Sequence, residues 1–111
     1  MRSILAGLLL ALGSLSTLAQ QPAPAFAAPN LSEKGVRSMA ASCAACHGTN
    51  GRAAPGSTVA GLAGRSRDDL VQVMGQFKAG QRPATVMHQI AKGYEEAEIA
   101  ALAEYFSKLP R

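Results

Sequence analysis

Five consecutive residues, Cys43-Ala44-Ala45-Cys46-His47, followed at once by Gly48, restrict what this chain can fold around. On a helical turn, side chains three positions apart lie on one side. Two thiols placed in that way can add across the two vinyl groups of a single porphyrin. The residue after the second cysteine then offers its imidazole to the iron. The run therefore reads as the attachment site of a c-type heme. A chain bonded twice to a rigid apolar plate must wrap that plate. An iron porphyrin cycles between ferrous and ferric, so electron transfer is the chemistry expected.

Other uses of the two cysteines fit less well. A thiol–disulfide redox motif belongs on a strand-to-helix turn of an α/β fold, and no strand pattern precedes Cys43. A structural zinc site wants four ligands. The sulfur and imidazole side chains available are Cys43, Cys46, His47 and His88, and His88 is not at zinc-finger spacing.

Covalent heme is attached outside the cytoplasm, and the N-terminus has the pattern of an export signal. Arg2 supplies a short positive region, residues 4–15 are apolar and rich in Leu and Ala, and Ala25-Phe26-Ala27 is an A-x-A cleavage signature. Cleavage is expected after Ala27, with Ala19 the second choice. An uncleaved anchor is the alternative, but the stretch falls short of the roughly 20 apolar residues a bilayer-spanning helix needs. Residues 1–27 are thus expected to be a cleaved leader, and residues 28–111 one monoheme domain in the periplasm.

A domain of that size buries only a modest core and usually needs a staple. Attached heme would be that staple, and without it a molten or unfolded chain is expected. The whole sequence carries 11 Lys and Arg against 7 Asp and Glu. Loss of Arg2 with the leader leaves a balance of about +3. That is too mild for a nucleic-acid surface, but it suits docking to an acidic partner.

Helical periodicity runs through the mature segment and strand alternation is absent. A first helix is expected over residues 32–44, capped by Asn30 or Ser32, with Val36, Met39, Ala40 and Cys43 on one face. The glycine-rich stretch 48–65 predicts a long functional loop around the porphyrin, with Leu62 as its apolar plug. A second helix starts at Ser66, where Asp69 completes the pattern of a capping box, and stops at Gly80. Its stripe is Leu70, Val73, Met74 and Phe77. Residues 83–93 predict a turn with at most one short helix. A last helix covers residues 95–109, burying Ile99, Leu102, Phe106 and Leu109. The expected fold class is all-α, with three to four helices around one heme.

A six-coordinate iron needs a ligand opposite His47. A thioether holds both oxidation states and raises the potential. Met39 shares a helix with Cys43, and Met74 sits in a core stripe. Met87 lies on a non-repetitive segment far along the chain and is the favoured ligand. His88 is the alternative; it would give bis-histidine coordination and a lower potential.

These residues resemble the class I c-type cytochromes across essentially the whole mature chain. The resemblance rests on Cys43-Ala44-Ala45-Cys46-His47-Gly48, on Leu62-Ala63-Gly64, and on Met87 before a C-terminal amphipathic helix. It implies N- and C-terminal helices that cross near the heme edge, with His/Met ligation. A narrower resemblance is carried by Phe77-Lys78-Ala79-Gly80-Gln81-Arg82-Pro83-Ala84-Thr85-Val86-Met87 and Ile90-Ala91-Lys92-Gly93-Tyr94. That stretch is similar to the heme subunit of flavocytochrome c sulfide dehydrogenases, in which the same Met is the distal ligand. The likeness implies an FAD-containing flavoprotein partner that oxidises sulfide and passes electrons to this chain. A free-standing shuttle to an oxidase or reductase, paired with some other redox protein, is the alternative.

The chain departs from that family in two places. Tyr94-Glu95-Glu96 lacks the usual Ser or Thr cap of the last helix. Val59-Ala60-Gly61 stands where relatives often place a proline, so Pro55 is expected to supply the backbone carbonyl that orients His47. No catalytic chemistry of the chain's own is expected. Arg52, Arg65, Arg67, Lys78, Arg82 and Lys92 are candidate docking cations, Lys92 above the others. No membrane insertion is expected after leader cleavage.

Overall fold

Ser32 begins the first helix by accepting a hydrogen bond from the Gly35 N–H at 3.2 Å. This satisfies one of the donors that a helix N-terminus leaves free. A computed structural model describes residues 31–111. The expected leader and the Asn30 cap lie outside the described residues.

Five helices follow in order: α1 Glu33–Ala41, α2 Ala44–His47, α3 Arg67–Lys78, α4 Met87–Lys92 and α5 Glu96–Ser107. A single 3-10 turn, Thr49–Gly51, follows α2. Among the described residues there is no strand, so the fold is all-α as expected.

There is one helix more than the sequence suggested, because the first splits. Ser42 Oγ donates back to the Met39 carbonyl at 2.8 Å. The Ser42 and Cys43 N–H groups bond to Met39 and Ala40, three residues back rather than four. That tightening ends α1. Cys43 then starts a new turn, its carbonyl accepting from His47 N–H at 2.9 Å. The Cys43–His47 run thus occupies a turn of its own.

The core is where α1, α3 and α5 meet. Ala40, Leu70, Leu102, Ala103 and Phe106 form it, and Met39, Cys43, Leu62, Val71, Tyr94, Tyr105 and Leu109 pack around it. Small Ala40 and Ala103 let the helices approach. Phe106 is 3% exposed, and removing a ring so placed would cost about 3–5 kcal/mol. Leu62 does act as an apolar plug of the long loop, packed partly buried against this cluster.

The α3 stripe behaves differently along its length. Leu70 is buried, but Val73, Met74 and Phe77 stay half-exposed. The six-residue α4 packs on α3 as well, and leaves these three side chains part-open.

The helix ends follow the sequence closely. Ser66 caps α3 by accepting from Asp69 N–H at 3.2 Å. The Asp69 carboxylate does not complete the box; it receives Arg65 Nε at 2.8 Å instead. Gly80, at φ +70°, stands beyond the end of α3. The helix that lacks Ser or Thr has another cap. Glu95 is the N-cap of α5, and its N–H donates to Glu98 Oε2 at 2.7 Å. A carboxylate also suits the positive end of the helix dipole.

Candidate heme site

Cys43, Cys46 and His47 leave the end of α1 on one short turn, as their spacing predicts. Both thiols are unpaired; Cys43 is half-buried and Cys46 exposed. Burial pushes the Cys43 thiol above its ordinary range, offset in part by hydrogen bonds from Ser42 and its own backbone. The turn ends at Gly48, whose φ is +84°. A Cβ there would lie 1.8 Å from the Arg52 carbonyl oxygen, so only glycine can follow His47 in this conformation.

His47 Nδ1 lies 2.6 Å from the Ala60 carbonyl oxygen. A carbonyl only accepts, so the proton sits on Nδ1 and the lone pair on Nε2. Nε2 has no partner among the described residues. An imidazole held at one nitrogen, with the other bare, is the arrangement of a metal ligand whose orientation is fixed from behind. The carbonyl is that of Ala60, not Pro55. Pro55 is on an exposed turn, where the Ser57 N–H bonds to Ala54. The Val59-Ala60-Gly61 stretch that departs from the family pattern nevertheless supplies the acceptor. The signal was the position of that stretch, not its side chains, because any residue type brings a carbonyl.

Met87 is the first residue of α4 rather than a loop residue, and α4 is held against α3. His88 follows it and is half-exposed. Met39 belongs to the shell packed on the core, as expected. Among the described residues no three His, Cys, Asp or Glu side chains gather to hold a bare metal ion.

The residues present fit a flat apolar group. Val86 and Ile90, on either side of Met87, are 48% and 41% exposed. Val59, next to the carbonyl that holds His47, is also among the exposed large apolar residues. Val73, Met74 and Phe77 on α3 are only part-buried as well. Exposed apolar surface of this kind marks a place where a partner or ligand sits.

Five of the six basic candidates are already engaged. Arg52 donates to the Pro110 carbonyl, Arg65 pairs with Asp69, and Arg67 with Asp68 and Glu104. Lys78 Nζ donates to the Tyr94 carbonyl at 2.6 Å and to Glu96 at 2.9 Å. Arg82 lies over the Phe77 ring, 5.5 Å from its centre. Lys92 is exposed and has no partner among the described residues. Sequence reasoning missed that Lys78 is an internal pin, since its partners lie sixteen and eighteen residues away.

A cytochrome c family model matches residues 32–110. The cytochrome subunit of sulfide dehydrogenase from Chlorobaculum tepidum is 37% identical over 90 residues, covering 81% of this chain and 80% of that protein. The thiosulfate dehydrogenase electron acceptor of Thiomonas intermedia is 41% identical over 70 residues, 63% of this chain and 32% of its own length. A protein of the same name from Stutzerimonas stutzeri is 34% identical over 109 residues, 85% of this chain and 50% of its own. The chain therefore belongs to the cytochrome c family, with one covalently bound heme c and a function in heme-based electron transfer.

Proposed function

We propose that this chain is the heme subunit of a sulfide-oxidising flavoprotein dehydrogenase in the periplasm, accepting electrons from the flavin side. Export would follow leader cleavage after Ala27, leaving residues 28–111 as the working domain. Cys43 and Cys46 would hold the porphyrin through thioether bonds, and His47 and Met87 would hold its iron. When bound, heme supplies a ferrous/ferric couple that moves one electron at a time.

The chain's own residues do the rest. The Ala60 carbonyl keeps the proton on His47 Nδ1 and directs Nε2 outward. Apolar Val59, Val73, Met74, Phe77, Val86 and Ile90 would keep water from the plate. Lys92, exposed on the last turn of α4, offers charge to an acidic docking surface.

The observation that carries the partner reading is the 37% identity to a sulfide dehydrogenase cytochrome subunit along most of both chains. A second reading, a free-standing acceptor, is favoured by the relatives named as electron acceptors of thiosulfate dehydrogenase. Purification from the native host separates them. A flavoprotein that travels with the heme protein supports the subunit; a lone red protein supports the free acceptor.

The ligand reading has its own test. Met87→Ala should lose the weak red-edge band of sulfur-ligated ferric iron and lower the midpoint potential, with heme still attached. His88→Ala should change neither. Survival of the band in Met87→Ala would sink the assignment. Among the described residues no helix is long and apolar enough to cross a membrane.

A further inference from the structure

The loop that leaves His47 is held by the far end of the chain. Arg52 Nε donates to the Pro110 carbonyl at 2.9 Å, across 58 residues. Arg111 Nε donates to the Gly64 carbonyl at 3.1 Å, and the Gly64 N–H to the Phe106 carbonyl at 3.0 Å. The Gly51 carbonyl accepts from Leu62 and Ala63 at 2.7 and 3.1 Å, which closes the base of the loop. Arg52 is braced on its backbone side too, because Gly48 lies directly against its carbonyl.

Residues 54–60 between these ties are exposed. Apart from the Ala60 carbonyl their hydrogen bonds are local, the Ser57 N–H to Ala54 and the Ser57 hydroxyl with Val59, so the ends of the loop set their position. Ala60, whose carbonyl meets His47 Nδ1, is one of them.

We propose that Arg52 is a positioning residue for His47: by tying the loop to Pro110 beyond α5, it fixes the Ala60 carbonyl on Nδ1. The inference rests on His47 being the axial ligand. A carbonyl at 2.6 Å draws the Nδ1 proton and makes the ring a stronger donor through Nε2. A stronger donor favours ferric iron and lowers the potential. Loosening the loop should therefore raise it. The ordinary consequences of losing an arginine act the other way. Removing a nearby positive charge, or admitting water, favours ferric iron and lowers the potential. The sign of the shift thus separates positioning from general loosening.

The test uses the heme-loaded protein with Arg52→Ala, Arg52→Lys and Arg111→Ala. Midpoint potential is read at high salt, where exposed charge is screened. The exchange rate of the His47 Nδ1 proton with solvent is read by NMR in the ferrous state. Arg52→Ala should raise the potential and speed exchange about 2- to 10-fold, the worth of one hydrogen bond. Arg52→Lys, whose ammonium can still donate to Pro110, should return both towards the parent. Arg111→Ala, which cuts the second tie, should move both in the same direction as Arg52→Ala.

A potential that falls or stays in Arg52→Ala, or an unchanged exchange rate, overturns the proposal. If Arg52→Ala does not mature, Arg111→Ala decides on the same readouts. Failure of the axial reading shows separately, as a parent protein whose His47 protons carry no heme ring-current shift; that result overturns the proposal as well.

Discussion

Gly51 joins the heme loop to the hydrophobic core, and replacing it tests that joint. Its φ is +74°, and a Cβ added there would lie 2.8 and 2.9 Å from two Phe106 ring carbons and 3.0 Å from Leu62 Cβ. Two costs follow for Gly51→Ala. The left-handed conformation costs an L-residue about 1–2 kcal/mol. Forcing a methyl against a ring that is itself core costs about 1–3 kcal/mol more. The expected loss is then about 2–5 kcal/mol. In a domain this small each kcal/mol moves the melting point by about 4–8 °C. Gly51→Ala should therefore melt at least about 8 °C below the parent, measured on the heme-loaded protein by circular dichroism. Two other glycines separate the costs. Gly56 has φ +78° but nothing within 4 Å of its added Cβ, so Gly56→Ala should show the conformational cost alone. Gly75, inside α3, has open space and an ordinary helical φ. Gly75→Ala should stabilise by about 0.5–1 kcal/mol. Equal melting points for Gly51→Ala and Gly56→Ala would refute the argument, because the collision with Phe106 would then cost nothing.

Other expectations are more local. Lys78→Met keeps the stem but strands the Tyr94 carbonyl, and should lower stability to denaturant by about 1–2 kcal/mol; no change would mean that the link from the end of α3 to the start of α5 does not depend on the pin. Lys92→Glu should slow electron exchange with an acidic partner by up to about fivefold, the size of one exposed ion pair, and only at low salt. A slowdown that persists at high salt would place the effect elsewhere. Lys108, hydrogen-bonded to Glu104, holds that carboxyl below the usual carboxylate range, with help from Arg67. A depressed carboxyl in the folded state contributes stability above its unfolded pKa and loses it as pH falls through the folded value. Lys108→Ala should move the Glu104 NMR titration upward, and any stability advantage of the parent should fade on acidification rather than in base.

Much of the site was legible in the sequence because it is local. The thiols and imidazole of residues 43–47 share a turn whatever the rest of the chain does. Ser32 and Ser66 reach N–H groups three residues on, and the face of α5 that buries Ile99, Leu102 and Phe106 follows from helical period. The break after α1 was less visible. Nothing in residues 32–44 forbids one continuous helix, and the break depends on the Ser42 hydroxyl turning back to Met39.

The placement of residues 43–47 on one turn, the all-helical class and the order of the main helices were therefore set by residue types and their spacing, since those interactions close within about four residues. Tertiary structure decided which carbonyl takes the His47 proton, thirteen residues away at Ala60, and that Arg52 would be tied to Pro110. It also decided that Lys92, among the candidate docking cations, remains without a partner among the described residues. A backbone carbonyl has no side-chain signature, and a lysine in sequence does not reveal its partner. Only the folded chain, by bringing distant segments within hydrogen-bonding reach, selects among them.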